Sequence, residues 1–449
     1  MKLKYFTFCL SLALMASTQT AHATSLLDVY KQALQNDPTV LQAKAKRDSL
    51  YENINQSRAA LLPTISGNMS VSHTWDNQYP SLSASGNVAS AGLSLSQTLY
   101  DGSLWSKLTI AEKTASQADI TYAAALQNLI VRVSKAYFNV LTAQDDYRFN
   151  IAAQQAYKRQ LAQTQARFKV GLSPIGDVQS AQAQYDLSTA QSITAQNTLT
   201  NDYESLRAIT GINDKHLNIL DTTHFETSPI LPTNIGDWVT LSNNKNLSLL
   251  SDDVGKEIAE KNIDYYKAGH LPKLSLNANA DKYNEDINNS DYPNSYNYNT
   301  SSVSLNLNIP IYSGGKINSQ VRQAQDDYVN ACQVLEQTHR SVIQNVRSDY
   351  NNVNAAISTI KAYKQSVTSS QIAAKATQAG FEVGTRTIVD VLNTTSTLYN
   401  SKSELAQARY QYIDSVLALK QAAGTLTEKD LVEINKGLIS PTKPSLQQS

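Results

Sequence analysis

The chain has 449 residues, 38 Lys and Arg against 38 Asp and Glu, and only 16 Gly and 11 Pro. Balanced charge gives no electrostatic case for a nucleic-acid partner. A composition dominated by Ala, Gln, Asn, Ser and Leu, with few turn formers, excludes a loop-rich or disordered chain and points to long helices with polar faces.

Residues 1–23 read as a secretory signal. Lys2 and Lys4 precede an apolar run from Tyr5 to Met15, and Ala21-His22-Ala23 supplies a small-x-small cleavage pattern. A short N-terminal membrane anchor is the alternative reading. Cleavage removes two Lys and no acid, leaving two more acids than bases. Cys9 leaves with the signal and Cys332 remains alone, so no internal disulfide is expected. Beyond the signal no run reaches the roughly 18 apolar residues of a transmembrane helix. A membrane crossing would have to use strands.

A helix of moderate length is predicted over 25–60. Two strands follow: Met69, Val71, His73 and Trp75 alternate with small polar residues, as do Leu93, Leu95, Gln97 and Leu99. Ser103 to Val170 contains neither Gly nor Pro, which predicts one helix of about 68 residues, roughly 100 Å long. A break at 171–176 turns the chain into a returning helix over 177–210.

After a connector, 212–234, the order recurs. A helix over 235–268 precedes strands in which Leu274, Leu276, Ala278 and Ala280, then Val303, Leu305, Leu307 and Ile309, alternate with polar residues. A long helix covers 316–379, a break 384–387, and a return helix 390–423; 425–449 is a C-terminal segment. Leu62-Pro63 recurs as Leu271-Pro272, LSLSQTLY (from Leu93) as LNLNIPIY (from Leu305), and Val170-Gly171 as Val383-Gly384. Tyr100 and Tyr312, Asp177 and Asp390, and Gly211 and Gly424 keep one offset to within a residue. Residues 24–211 and 235–424 therefore read as two copies of one unit.

Apolar residues on the helices fall seven apart: Leu126, Val133, Val140 and Tyr147; Val346, Val353, Ile360 and Val367; Val391, Leu398, Leu405, Tyr412 and Leu419. That is the coiled-coil period. A moderate and a returning helix stacked end to end would match one long helix.

Strands of about ten residues, apolar on one face, suit a barrel with lipid outside and water inside. Trp75, Tyr79, Tyr100, Trp105, Tyr283 and Tyr312 are expected as interfacial aromatics at strand ends, and 76–87 and 284–299 as polar loops. A soluble half-buried sheet alternates identically, and four strands cannot close around water.

His73, His216, His224, His270 and His339 are scattered, with no HExxH, GxSxG or phosphate-binding loop. No catalytic site, metal site or cofactor is expected. Both turns place Val-Gly before an Asp at a helix start. The plain reading is that Ser173 or Thr385 caps the helix while Asp177 or Asp390 complements its dipole. A constriction formed by converging tips is the second reading.

The strings VGTRTIVDVLNTTSTLYN (Val383 to Asn400), HRSVIQNVRSDYNNVNAAISTIKAYKQ (His339 to Gln365), YFNVL (Tyr137 to Leu141) and GHLP (Gly269 to Pro272) resemble the TolC family of outer-membrane exit ducts. The likeness covers nearly the whole mature chain. It implies an α+β membrane fold: a homotrimer whose 12-stranded transmembrane β-barrel, four strands per subunit, continues into a 12-helix periplasmic α-barrel with a mixed α/β equatorial region. It implies a passive conduit in the outer membrane for efflux and type I secretion. The partners would be outer-membrane lipid, a periplasmic adaptor and an inner-membrane transporter that supplies the energy. Adaptor docking maps onto Val170, Gly171, Leu172, Val383, Gly384 and Thr385. The family's gate maps onto Asp177 and its partner Arg386. A gate Tyr is Phe381 here and a gate Thr is Gly176. Of two constriction Asp per subunit, one is Asp390 and the other is Asn393, so cation block is expected at Asp390 alone. A periplasmic coiled-coil adaptor or structural protein is the alternative; it would lack the two amphipathic strand pairs.

Overall fold

The computed structural model describes residues 23–76, 84–214, 216–289 and 294–441. The signal residues 1–22, Tyr79, Tyr292 and 442–449 lie outside the described residues. The first unit comprises α1 (Leu26–Asn36), α2 (Pro38–Ala59), β1 (Thr64–Asp76), β2 (Ala84–Tyr100), α3 (Gly102–Lys169) and α4 (Ile175–Thr210). A short strand, β3 (Ile219–Leu220), lies in the connector. The second unit comprises α5 (Ile235–Lys245), α6 (Leu247–Lys267), β4 (Lys273–Asn289), β5 (Asn294–Asn308), α7 (Lys316–Glu382) and α8 (Ile388–Ala422); α9 (Glu428–Lys436) and β6 (Leu438–Ile439) follow.

Both moderate helices predicted as continuous are broken. At the first break the Asp37 carboxylate accepts from Val40 N at 2.9 Å, and Pro38 opens α2 without an N–H to bond backwards. At the second, the Asn246 side chain accepts from Ser248 N and Leu249 N at 3.0 and 3.1 Å. Asp37 is 2% exposed and receives Arg132 of α3 through both terminal nitrogens, at 2.9 and 2.8 Å. The break turns α1 inward. Its Leu26, Val29, Tyr30 and Ala33 share a core with Val133, Tyr137 and Phe138 of α3, Leu417 of α8 and Leu431 of α9. β3 pairs antiparallel with β6, Ile219 facing Ile439, which ties the connector to the C-terminal segment beside this core.

α4 and α2 thus run in succession along α3, with α8 and α6 along α7. Asn36 Nδ2 donates to Thr210 O at 2.9 Å, and Asn246 Nδ2 to Ala422 O at 2.8 Å, so each break residue or its neighbour satisfies the end of a return helix. Val133, Val140, Val346, Val353, Ile360, Val391, Leu405 and Leu419 are buried, as the sevenfold spacing requires.

The main sheet has order β1-β2-β4-β5, antiparallel throughout. Register aligns Ile65, Leu95, Ala278 and Val303 in one row across all four strands. This apolar face is bare: Met69 is 89% and Val303 76% exposed. The opposite face is knit by hydroxyls, Ser66 to Ser94 at 2.7 Å and Ser70 to Ser90 at 2.8 Å, with Ser96 Oγ donating to Asn277 Oδ1 at 3.0 Å. Among the described residues, β1 and β5 are free edges within one chain. The expected loop at 284–299 is mostly strand, and β2 begins earlier than expected, at Ala84. Tyr283 sits inside β4 opposite Tyr298, not at a strand end. No helix among the described residues is long and apolar enough to cross a membrane.

Candidate functional site: the hairpin tips

The long helices end in matching Schellman turns. Gly171 (φ +78°) donates to Phe168 O and Leu172 to Arg167 O at 3.0 and 2.8 Å; Gly384 (φ +83°) donates to Phe381 O and Thr385 to Gly380 O at 3.2 and 2.8 Å. A left-handed residue is required at each turn, which glycine supplies without strain. The turns leave Val170, Leu172 and Val383 pointing outward, each at least two-thirds exposed.

The caps differ from the sequence reading. α8 starts in a capping box on Thr387, not Thr385: Asp390 N donates to Thr387 Oγ1 at 3.2 Å, and Asp390 Oδ2 accepts from Thr387 N and Oγ1 at 3.0 and 2.9 Å. These bonds from the Thr387 amide and hydroxyl hold the Asp390 carboxyl below the usual carboxylate range, with Arg386 adding a smaller pull. Thr385 Oγ1 instead donates to Gly380 O at 3.1 Å. α4 starts at Pro174 with no side-chain cap; Ser173 Oγ donates to Asp177 Oδ2 at 2.6 Å.

Phe381, mapped onto a gate position, is buried among Tyr157, Leu161, Ala181, Ile388 and Val391. Arg167 of α3 lies over its ring, 4.7 Å from the centroid, and donates to Phe381 O at 3.4 Å. This latch joins the two hairpins. Arg386 packs against Gly380, where an added Cβ would fall 2.7 Å from Arg386 Cγ. Within one chain Asp177 and Arg386 form no ion pair among the described residues; Asp177 is held by Ser173 instead. Gly176 has open space around its Cα, and Asn393 is exposed. Sequence reasoning missed Arg167, whose partner is 214 residues away. Thr387 was visible in its T-x-x-D spacing to Asp390.

The outer membrane efflux protein family model matches residues 29–212 and 238–425. Outer membrane protein TolC of Vibrio cholerae serotype O1 is 44% identical over 428 residues, covering 95% of this chain and 97% of the relative. Alkaline protease secretion protein AprF of Pseudomonas aeruginosa is 28% identical over 447 residues, covering 95% and 90%. Among solved structures, the Campylobacter jejuni CmeC outer membrane channel superposes with a TM-score of 0.77 at 17% identity over 98% of each chain.

Proposed function

This chain belongs to the outer membrane efflux protein family, and from that premise we propose how its geometry serves an outer-membrane exit duct for efflux and type I secretion. The reading rests on one observation: a sheet with a bare apolar face and two free edges runs directly into helices of 68 and 67 residues. Lipid covers such a face, and a second copy completes such an edge. β5 and β1 run in opposite senses, so β5 of one copy pairs antiparallel with β1 of the next. Three copies give twelve strands, wide enough to hold water. Each chain supplies four helical columns, α3, α7, α4 with α2 and α8 with α6, and a homotrimer therefore supplies twelve. The units 24–211 and 235–424 are the duplicated halves of each wall segment.

The tips are the periplasmic constriction. Exposed Val170, Leu172 and Val383, with Gly171, Gly384 and Thr385, present an apolar rim for a periplasmic adaptor. An inner-membrane transporter supplies the energy, so the duct itself needs neither enzyme chemistry nor cofactor. Asp177 and Arg386, unpaired with each other within a chain, reach one another between neighbouring chains, beside Phe381 and Gly176. Asp390 faces the axis in three copies, next to Asn393.

Outer-membrane fractionation, sizing in mild detergent and gene deletion test the proposal together. The expected results are a trimer extracted only with detergent, and a deletion strain both drug-sensitive and defective in secretion. A soluble monomer in detergent-free buffer refutes it.

A further inference from the structure

The tyrosines of the second strand pair face away from lipid. Register sets Asp281, Tyr283 and Glu285 of β4 opposite Thr300, Tyr298 and Tyr296 of β5. By strand alternation these share a face with Ser275, Asn277 and Asn279, while Leu274, Leu276, Ala278 and Ala280 occupy the other. An interfacial belt would point outward with the leucines. On β4 accessibility alternates accordingly, with Asp281, Tyr283 and Glu285 partly covered and Lys282, Asn284 and Asp286 exposed, while Tyr296 and Tyr298 on the edge strand β5 are exposed. The Tyr283 and Tyr298 rings stack, 5.1 Å between centroids and 17° between planes.

The patch is acidic as well as aromatic. In the rows of this face from Ser275 to Glu285, Asp281 and Glu285 are the only charged groups among the described residues. Lys273, on the same face at the helical end of the sheet, is already bound to Asp101 at 2.8 Å. Asp281 lies flat on the wall, because its neighbour in register is Gly92; a Cβ there would come within 1.8 Å of Asp281 Oδ1. Stacking covers the facing sides of Tyr283 and Tyr298, so the patch presents Tyr296, the outer side of Tyr298 and the partly covered Glu285 to the interior. The position is eight to twelve residues along β4 from Lys273, roughly 26–40 Å along the strand from the helical end of the sheet and near its outer end.

We propose that this patch is a lumenal subsite for organic cations with aromatic or apolar bodies, repeated in each chain at the exit mouth. The inference rests on the exit-duct reading. Ring faces attract cations, two carboxylates add long-range attraction, and weak sites in series let a solute enter and leave.

Planar-bilayer recording of the purified protein tests it, with tetraphenylphosphonium added on the extracellular side and tetraphenylborate as an anion of the same shape. Tetraphenylphosphonium should block current and tetraphenylborate should not. Tyr283→Leu and Tyr298→Leu should each raise the half-blocking concentration about 2–5-fold. Tyr283→Phe should leave it unchanged, Glu285→Gln should raise it, and Lys282→Gln, on the opposite face, should not. Equal block by both ions, or block indifferent to both Tyr→Leu changes, overturns the subsite while leaving the duct intact. A preparation that forms no pore overturns the duct and the subsite together.

Discussion

Replacing Arg167 by Met tests whether the tip is held shut by contacts between its two hairpins. The substitution keeps the apolar stem over Phe381 but removes the charge and the bond to Phe381 O. A cation over a ring is worth about 1 kcal/mol at a partly exposed site. The 3.4 Å hydrogen bond is long and adds less than about 1 kcal/mol. Arg167 Nε is buried without a partner, and Met removes that desolvation cost, which offsets part of the loss. The closed arrangement should therefore lose up to about 1 kcal/mol per chain, a shift of up to about 5-fold toward parted hairpins. Single-channel recording should show higher mean conductance and shorter closed dwells. Phe381→Leu should act in the same direction, and the double variant should fall well short of the sum, since both changes remove one contact. Trimer yield in detergent, unchanged, would show that folding is intact. Wild-type conductance and open fraction in Arg167→Met would refute the latch.

At the constriction, Asp390→Asn should nearly abolish block by a trivalent cation added on the periplasmic side, and Asn393→Asp should strengthen it; block unaffected by either change removes Asp390 from the axis. Asp37→Ala should lower stability by about 2–3 kcal/mol, from a lost helix cap and a lost charge-assisted pair, read as a fall in Tm, with Asp37→Asn milder because Asn also caps. Burial pushes the Asp37 carboxyl up, but Arg132 and the Val40 amide bring it below its ordinary value. Its contribution is therefore full above about pH 4 and disappears as pH falls through the lowered value, so the Asp37→Ala deficit should shrink in acid. Asp414 is the opposite case: burial raises it to about 6, with Lys135 pulling partly back. Stability from this group is present below about pH 4 and lost as pH rises through 6, so Asp414→Asn should gain about 1–2 kcal/mol at pH 7 and nothing below pH 4, by thermal melts across that range.

Much of the fold was legible because its signals are periodic and local. Val133 and Val140, or Val346 and Val353, announce a packed helix without reference to any partner, and Gly171 and Gly384 mark turns by conformation alone. The break at Asp37-Pro38 was also written plainly, as a cap followed by Pro, but the helical pattern on either side masked it. Its counterpart at Asn246 has no Pro and shows only in the Asn side chain's bonds. The region 284–299 read as loop because it is predominantly polar, with tyrosines scattered among Asn, Ser and acids; only Tyr296 to Asn299 alternates with period two, and neither residue type there declares lipid. At the tip, the Val-Gly turns and Asp390 were readable, whereas the burial of Phe381 depends on Arg167, Tyr157 and Ala181 arriving from distant segments. Contacts between copies of the chain leave still less trace in one sequence, so Asp177 and Arg386 carry only the charges that such pairing would use.

The succession of α4 and α2 along α3 has a mechanical consequence. Where they meet, the column is held by a side-chain amide, Asn36 Nδ2 on Thr210 O, and by Gly211 seated against Asn36, not by a continuous helical ladder. The second column repeats the arrangement more tightly, with Gly424 so close to Lys245 that an added Cβ would lie 2.1 Å from its carbonyl oxygen. A rotation at either meeting point would break no intrahelical bond. Below the first, α4 extends 36 residues, a lever of roughly 54 Å. One degree of rotation there would sweep the far end through about 1 Å, while the strands above keep their register.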